Sequence, residues 1–212
     1  MINVNKIIKD LLKNKSIFLN AKQPFTWASG IKSPIYCDLR MINSFPILRN
    51  YIEDKMVVMI KEKFSNVDYI VGTSTAGISH AAIISYKMKL PMAYVRSSVK
   101  DHGRKRNIEG YIPEKAKVVV IEDLMSTGKS SIEVVNILRG EGYNVLGIAS
   151  IFNYNLEMAK INLKDNKVVN YSLANFNDLI KYALHIKYIT KQEYSQLTIF
   201  QQNPQSDKWM KN

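Results

Sequence analysis

The sequence predicts an α/β protein: a Rossmann-like parallel sheet flanked by helices. Three observations lead there. From residue 67 onward, short apolar runs alternate with stretches of helical periodicity. One run, 118–121, ends on two acids and is followed at once by a helix, the arrangement in which open α/β sheets bind ligands. With 212 residues and 46% hydrophobic content, the chain suits one domain around one sizeable core.

The elements follow in order. Val4, Ile7, Ile8, Leu11 and Leu12 recur at helical spacing, so an amphipathic packing helix opens the chain. Residues 23–40, "QPFTWASGIKSPIYCDLR", are rich in turn formers and aromatics. Pro46 starts a second amphipathic helix that runs to about Phe64. Strands are expected at 67–72, 92–95, 118–121, 145–152 and 168–173, and helices at 78–88 and 131–138 with a short one at 156–161. Residues 100–113 lack apolar periodicity and read as a mobile loop. Ser130 with Glu133, and Thr190 with Glu193, have capping-box spacing, and the tail after Thr190 ends polar. There is no internal repeat, low-complexity segment or long linker.

Composition narrows the class. A single cysteine, Cys37, excludes an intramolecular disulfide framework, and the first 20 residues mix Lys, Asp and Asn with apolar positions unlike a signal peptide. A cytoplasmic protein is expected. No uncharged apolar run approaches the roughly 18 residues of a transmembrane helix, so no membrane partner is expected. The net charge of +12 fits a polyanion, nucleic acid or phosphorylated metabolite. A nucleic-acid module built on such a fold needs an added binding domain, for which 212 residues leave no room, so no nucleic acid is expected.

Residues 121–131, "IEDLMSTGKSS", contain the Gly-Lys-Ser tail of a P-loop, yet Asp123 stands where that loop needs its first glycine. Its carboxylate, next to Glu122, repels a triphosphate. The segment from Met125 to Ser130 instead presents amides and hydroxyls at a helix N-terminus, a seat for one phosphate. Vicinal ribose hydroxyls are donors that Glu122 and Asp123 accept well, so a ribose 5-phosphate fits; a Mg²⁺ site is the alternative for two acids at a strand end. In "VGTSTAGISHA", residues 71–81, Thr73, Ser74, Thr75, Ala76 and Gly77 form either a second amide cradle or a tight turn without a ligand. His80 and His185 read as packed residues, and Cys37 as buried.

The stretch "VVVIEDLMSTGKSS", 118–131, resembles the phosphoribosyl-pyrophosphate signature of the phosphoribosyltransferases. "FTWASGIKSPIYCD", 25–38, and "YVRSSVKDHGRKRNIEG", 94–110, resemble the N-terminal and flexible-loop motifs of bacterial orotate phosphoribosyltransferases. The resemblance implies the type I phosphoribosyltransferase fold as one domain over 1–212. A small N-terminal hood covers about 1–45, an α/β core about 46–176 and C-terminal helices about 177–212. It implies transfer of phosphoribosyl from 5-phospho-α-D-ribose 1-diphosphate (PRPP) to orotate, with Mg²⁺ carried mainly by PRPP, in a homodimer that shares its flexible loop.

Residue by residue, the resemblance places Arg96, Lys100, His102, Glu122, Asp123, Leu124, Met125, Ser126, Thr127, Gly128, Lys129, Ser130 and the 73–77 segment on PRPP. It places Ser126, Lys32 and Tyr36 on orotate, and Lys100 and Asp123 in catalysis. Arg104, Lys105 and Arg106 match less firmly, and the charge run around His102 also has the composition of a solvated face. Some family members carry lysine where Ala28 stands, arginine near Asn153 or Tyr154, and glycine in place of Lys129. A purine phosphoribosyltransferase shares the signature but not the other two motifs.

Overall fold

The structure, a computed structural model, describes residues 2–27, 30–96 and 107–211. Helix α1 (Val4–Lys13) is capped by Asn3, whose side chain accepts from the Lys6 amide, and it buries Ile7, Ile8, Leu11 and Leu12. The aromatic segment then forms two small antiparallel pairs that the sequence reading lacks. β1 (Ile17–Leu19) pairs with β4 (Ile35–Cys37), and β2 (Phe25–Thr26) with β3 (Lys32–Ser33). A 3-10 turn, Leu39–Ser44, leads into α2 (Pro46–Lys63), where proline occupies the first turn and its missing N–H goes unmissed.

The rest alternates: β5 (Tyr69–Thr73), α3 (Ala76–Met88), β6 (Met92–Val95), β7 (Ile108–Glu109), β8 (Lys117–Met125), α4 (Lys129–Gly140), β9 (Asn144–Asn153), α5 (Glu157–Asp165) and β10 (Asn170–Asn175). Helices α6 (Phe176–His185) and α7 (Lys191–Gln202) follow. The strands form one sheet in the order β10-β9-β8-β5-β6-β7, parallel except for β7, which runs antiparallel to β6 at the edge.

Burial on both faces explains the unbroken apolar runs. Along β8, Val119 and Ile121 join the core of α1, α2, α3 and α6, while Val118 and Val120 pack with Ile132, Val135 and Leu138 of α4. Each such side chain contributes about 1.5–3 kcal/mol by leaving water. β5 and β8 are neighbours, yet α3 carries the chain from β5 outward to β6, and α4 carries it from β8 the opposite way to β9. Their carboxyl ends therefore flank the point where strand order reverses, the binding crevice of such sheets.

Several expectations need correction. β8 does not stop at Ile121 but continues to Met125, because Leu124 and Met125 stay paired with Phe152 and Asn153 of β9. The Ser130–Glu133 capping box does not form, since α4 begins at Lys129 behind Gly128 and no side chain caps it. β5 and β10 start two residues later than expected, and α5 runs on to Asp165. Of the expected loop, 100–106 lie outside the described residues, while Ile108–Glu109 form β7. His185 is exposed at the end of α6 rather than packed, while Cys37, half-buried as a residue, has its thiol buried as expected. The tail is polar and mostly exposed as expected, with one departure: Trp209 is buried against Phe200 with ring centroids 5.8 Å apart. Phe200 also meets Trp27 at 5.7 Å, which ties the N-terminal segment to the C-terminal helix. The Thr190–Glu193 box forms in both directions.

Candidate active site

Two helix N-termini face the crevice. β5 ends at Thr73, Ser74 and Thr75 follow with a cis peptide between them, and α3 begins at Ala76. Ser74 is anchored, its amide and hydroxyl both donating to the Val95 carbonyl at 3.1 and 2.6 Å. No side chain caps the first turn of α3, so its amides and the positive end of its dipole are left for an anion. Gly77 allows α3 to start there, since a Cβ would sit 2.4 Å from the Ile121 carbonyl oxygen of β8 and 2.5 Å from Thr73 Oγ1.

The second cradle follows β8. Ser126 is half-buried and Thr127 exposed; Gly128, at φ +77°, makes the left-handed turn into α4 that L side chains rarely adopt. The α4 N-terminus is likewise uncapped by any side chain. Lys129 and Ser130 are exposed at its first turn, and the Thr127 carbonyl accepts from Asn162 of α5 at 2.9 Å. Leu124 is half-buried and Met125 buried.

The two acids differ. Asp123 is half-buried, but Glu122 is only 6% exposed and its carboxylate is already engaged. Thr73 Oγ1 donates to Oε1 at 2.9 Å, the Asp123 amide to the same oxygen at 3.2 Å, and Ser131 Oγ to Oε2 at 2.6 Å. Burial, and then the Asp123 charge beside it, push the Glu122 carboxyl up to about 7, outweighing the two hydroxyl donors. Asp123 is thus the carboxylate with acceptor capacity to spare.

On the other side lies an aromatic cluster. Tyr36, 37% exposed, stands 5.7 Å from Phe25 and 6.4 Å from Phe18, and Lys32 Nζ donates to Thr26 Oγ1 at 2.7 Å. Arg40 is held in two places by Asp38, Nε at 2.7 Å and Nη2 at 2.9 Å, which leaves donors on its outer edge. Asp38 raises its pKa most, and the charges of Tyr36 and Asp123 act on it as well. Behind the cluster, burial pushes the Cys37 thiol up to about 12, so it is no nucleophile. Tyr154, its hydrogen-bond neighbour, is raised too.

Of the remaining expected residues, Arg96 closes β6, its Nη1 3.3 Å from Glu109 Oε1. Lys100, His102, Arg104, Lys105 and Arg106 lie outside the described residues, as does Ala28. His80 does not face the crevice; its Nδ1 meets Glu53 Oε1 at 2.5 Å in the buried seam between α3 and α2. Three side chains were missed. Ser131 looked like an ordinary helical serine, though its place nine residues after Glu122 behind a tight turn brings it back beneath that carboxylate. Arg40 and Asp38 carried only a short-range charge pair as signal. The arrangement can hold two anionic groups on helix ends with a carboxylate between them and an aromatic face opposite, which suits a phosphorylated, diol-bearing molecule meeting a flat partner.

The comparisons agree with this geometry. Residues 42–184 match the phosphoribosyl transferase domain model. The chain is 46% identical over 200 residues to the orotate phosphoribosyltransferase of Listeria innocua, covering 94% of this chain and 96% of that one. It is similar in structure to UMP synthase of Leishmania donovani, with TM-score 0.78, 26% identity and coverage of 92% of this chain and 41% of that one. It also shares its fold with orotate phosphoribosyltransferase from Aeropyrum pernix, at TM-score 0.74, 23% identity and coverage of 87% and 99%.

Proposed function

This chain belongs to the orotate phosphoribosyltransferases, within the phosphoribosyl transferase domain family, and from that premise we propose how its residues divide the work. The reaction is transfer of the 5-phosphoribosyl group of PRPP to orotate, giving orotidine 5'-phosphate and pyrophosphate in de novo pyrimidine (UMP) biosynthesis. The observation that carries the reading is the pair of uncapped helix N-termini, α3 and α4, on either side of Asp123. Each seats one phosphate-bearing end of PRPP.

Ser126, Thr127, Gly128, Lys129 and Ser130 take the 5-phosphate, with the backbone of Leu124 and Met125 shaping the approach. Asp123 accepts from the ribose hydroxyls. Thr73, Ser74, Thr75, Ala76 and Gly77 hold the pyrophosphate, joined by Arg96, Lys100 and His102. As orotate N1 gives up its proton and bonds to the anomeric carbon, the C–O bond breaks, its electron pair leaves on pyrophosphate, and the proton passes to solvent or to that leaving group. Cations fixed around that group, Lys100 foremost, stabilise the charge as it develops. Tyr36 covers the orotate ring, and Lys32 and Ser126 meet its polar edge. Arg40, whose outer donors are unspent and whose charge reaches Asp123, meets the carboxylate.

No group of three or more His, Cys, Asp or Glu side chains among the described residues is arranged to hold a metal ion. Mg²⁺ is read as arriving on the PRPP oxygens, since it sheds its waters reluctantly and is usually bound through substrate phosphates. When bound, the ion withdraws charge from the leaving pyrophosphate. A homodimer in which the 97–106 segment reaches the neighbouring site is our reading of assembly. Ile47 and Tyr86, 90% and 84% exposed on the adjoining α2 and α3, support it as apolar surface awaiting a partner. No helix among the described residues is long and apolar enough to cross a membrane, in keeping with a cytoplasmic enzyme whose first 45 or so residues act as a hood over the base. The deciding assay follows orotate loss with PRPP and Mg²⁺, with hypoxanthine, adenine and uracil as rival acceptors. Orotate alone should be consumed; preferential use of a purine would reject the reading.

A further inference from the structure

The geometry points to Asn162, on α5, as a positioning residue for the 5-phosphate turn: its side-chain amide holds the Thr127 carbonyl outward and so aims the Gly128 N–H at the anion. Asn162 Nδ2 donates to that carbonyl at 2.9 Å, across 35 residues of sequence. Thr127 is exposed, so little packing fixes its peptide plane. The Thr127–Gly128 peptide is trans, and in a planar trans peptide the carbonyl and the following N–H point opposite ways. α5 connects β9 to β10, on the side of β8 away from β5, so a carbonyl turned to α5 sends the N–H toward the crevice. A carbonyl free to rotate inward would set its oxygen against the phosphate and spoil the cradle of amides.

α4 supplies the rest of the seat. Its first helical bond runs from the Ile132 amide to the Gly128 carbonyl at 2.9 Å, so the amides at 129–131 have no helical partner. For Asn162 to keep the turn in register with those donors, α5 must itself be fixed to α4, and it is. Arg139, in the last turn of α4, donates from Nη1 to the Asn166 carbonyl at 2.6 Å and from Nη2 to the Lys167 carbonyl at 3.0 Å. Asn136 Nδ2 reaches Asn166 Oδ1 at 3.3 Å, and Asn166 Nδ2 donates back to the Asn162 carbonyl at 2.8 Å. Turn, α4 and α5 form a closed frame that meets the turn at Asn162. The peptide is set before the phosphate arrives, so less ordering remains to be done on binding.

This inference rests on the 5-phosphate seat assigned above, and its test separates the two. The probes are ribose 5-phosphate, for the 126–130 seat, and inorganic pyrophosphate, for the 73–77 seat. Asn162→Leu keeps the size of the side chain and removes its donor. It should weaken ribose 5-phosphate binding by roughly three- to tenfold, as expected for loss of one hydrogen bond, and pyrophosphate binding by less than about twofold. The KM for PRPP should rise with it while kcat stays, because the contact is lost equally before and in the transition state. Asn162→Gln, which retains the amide on a longer stem, should recover part of the loss. Amide hydrogen exchange without ligand should quicken at 127–131 of Asn162→Leu and not at 74–78. Unchanged ribose 5-phosphate affinity in Asn162→Leu, equal weakening of both probes, or binding by Asn162→Gln no better than by Asn162→Leu overturns the positioning role. If the unaltered chain binds no ribose 5-phosphate, the assigned seat falls, and the role argued for Asn162 falls with it. Should Asn162→Leu not fold, Asn162→Ala carries the same comparison.

Discussion

The raised Glu122 carboxyl makes stability depend on pH in a direction opposite to that of most carboxylates. Its pKa moves from an ordinary 4.5 to about 7 in the folded chain, chiefly because it is buried and secondarily because Asp123 is charged beside it. The folded state therefore holds the proton more tightly than the unfolded state. Its stabilising contribution is fully present below pH 4.5 and is lost as pH rises toward 7. At about 1.4 kcal/mol for each tenfold change in proton affinity, the whole window is worth on the order of 3 kcal/mol, with about 2 of it between pH 5 and 8. Glu122→Gln is neutral at every pH and lacks this slope, so the comparison isolates Glu122 together with the Asp123 charge beside it. Urea unfolding of both proteins at pH 5, 6, 7 and 8 should show Glu122→Gln gaining on the unaltered chain by about 2 kcal/mol across the series. A stability difference that stays flat from pH 5 to pH 8, or that changes in the other sense, refutes the buried, proton-holding carboxyl.

Other substitutions probe the remaining parts. Asp123→Asn should keep the fold while weakening PRPP binding by about 1.5–3 kcal/mol, roughly ten- to a hundredfold in Kd, measured by titration calorimetry. Gly77→Ala forces a Cβ against the Ile121 carbonyl at 2.4 Å and should cost about 1–3 kcal/mol, seen as a Tm drop of roughly 2–10 °C together with weaker pyrophosphate binding. Arg40→Gln should raise the KM for orotate about three- to tenfold and leave the KM for PRPP unaltered; equal effects on both substrates would remove Arg40 from the base side. Lys100→Ala should lower kcat more than it raises KM. Mixing it with Asp123→Asn subunits should recover activity if the loop serves the neighbouring site, and none if it serves its own.

What the sequence reveals and what it hides divide along a physical line. The helix of Val4, Ile7, Ile8, Leu11 and Leu12 is legible because solvent sorts its side chains at a fixed period, and the runs at 118–121 and 145–152 because burial on both faces leaves them apolar without a break; both are local properties. The two segments proposed as phosphate seats are legible because a run, then a glycine or hydroxyl-rich turn, then a helix is a contiguous signal. The strand's true end at Met125 is not, because β9 keeps pairing with it there, and pairing partners are not written next to each other. The buried Trp209 is hidden likewise, its reason being Phe200 and, beyond it, Trp27 at the far end of the chain. Glu122 is the sharpest case. Beside Asp123 the two acids look equivalent, and a single contiguous motif invites giving them one task. Burial makes the distinction, since Glu122 is 6% exposed while Asp123 is half-buried. Thr73 from β5 and Ser131 from α4 close on the Glu122 carboxyl, although the two acids still touch each other. Those partners lie 49 residues before it and nine residues after it. No signal beside the acids in the sequence names them, so the difference between the two is written in tertiary pairing rather than in the motif.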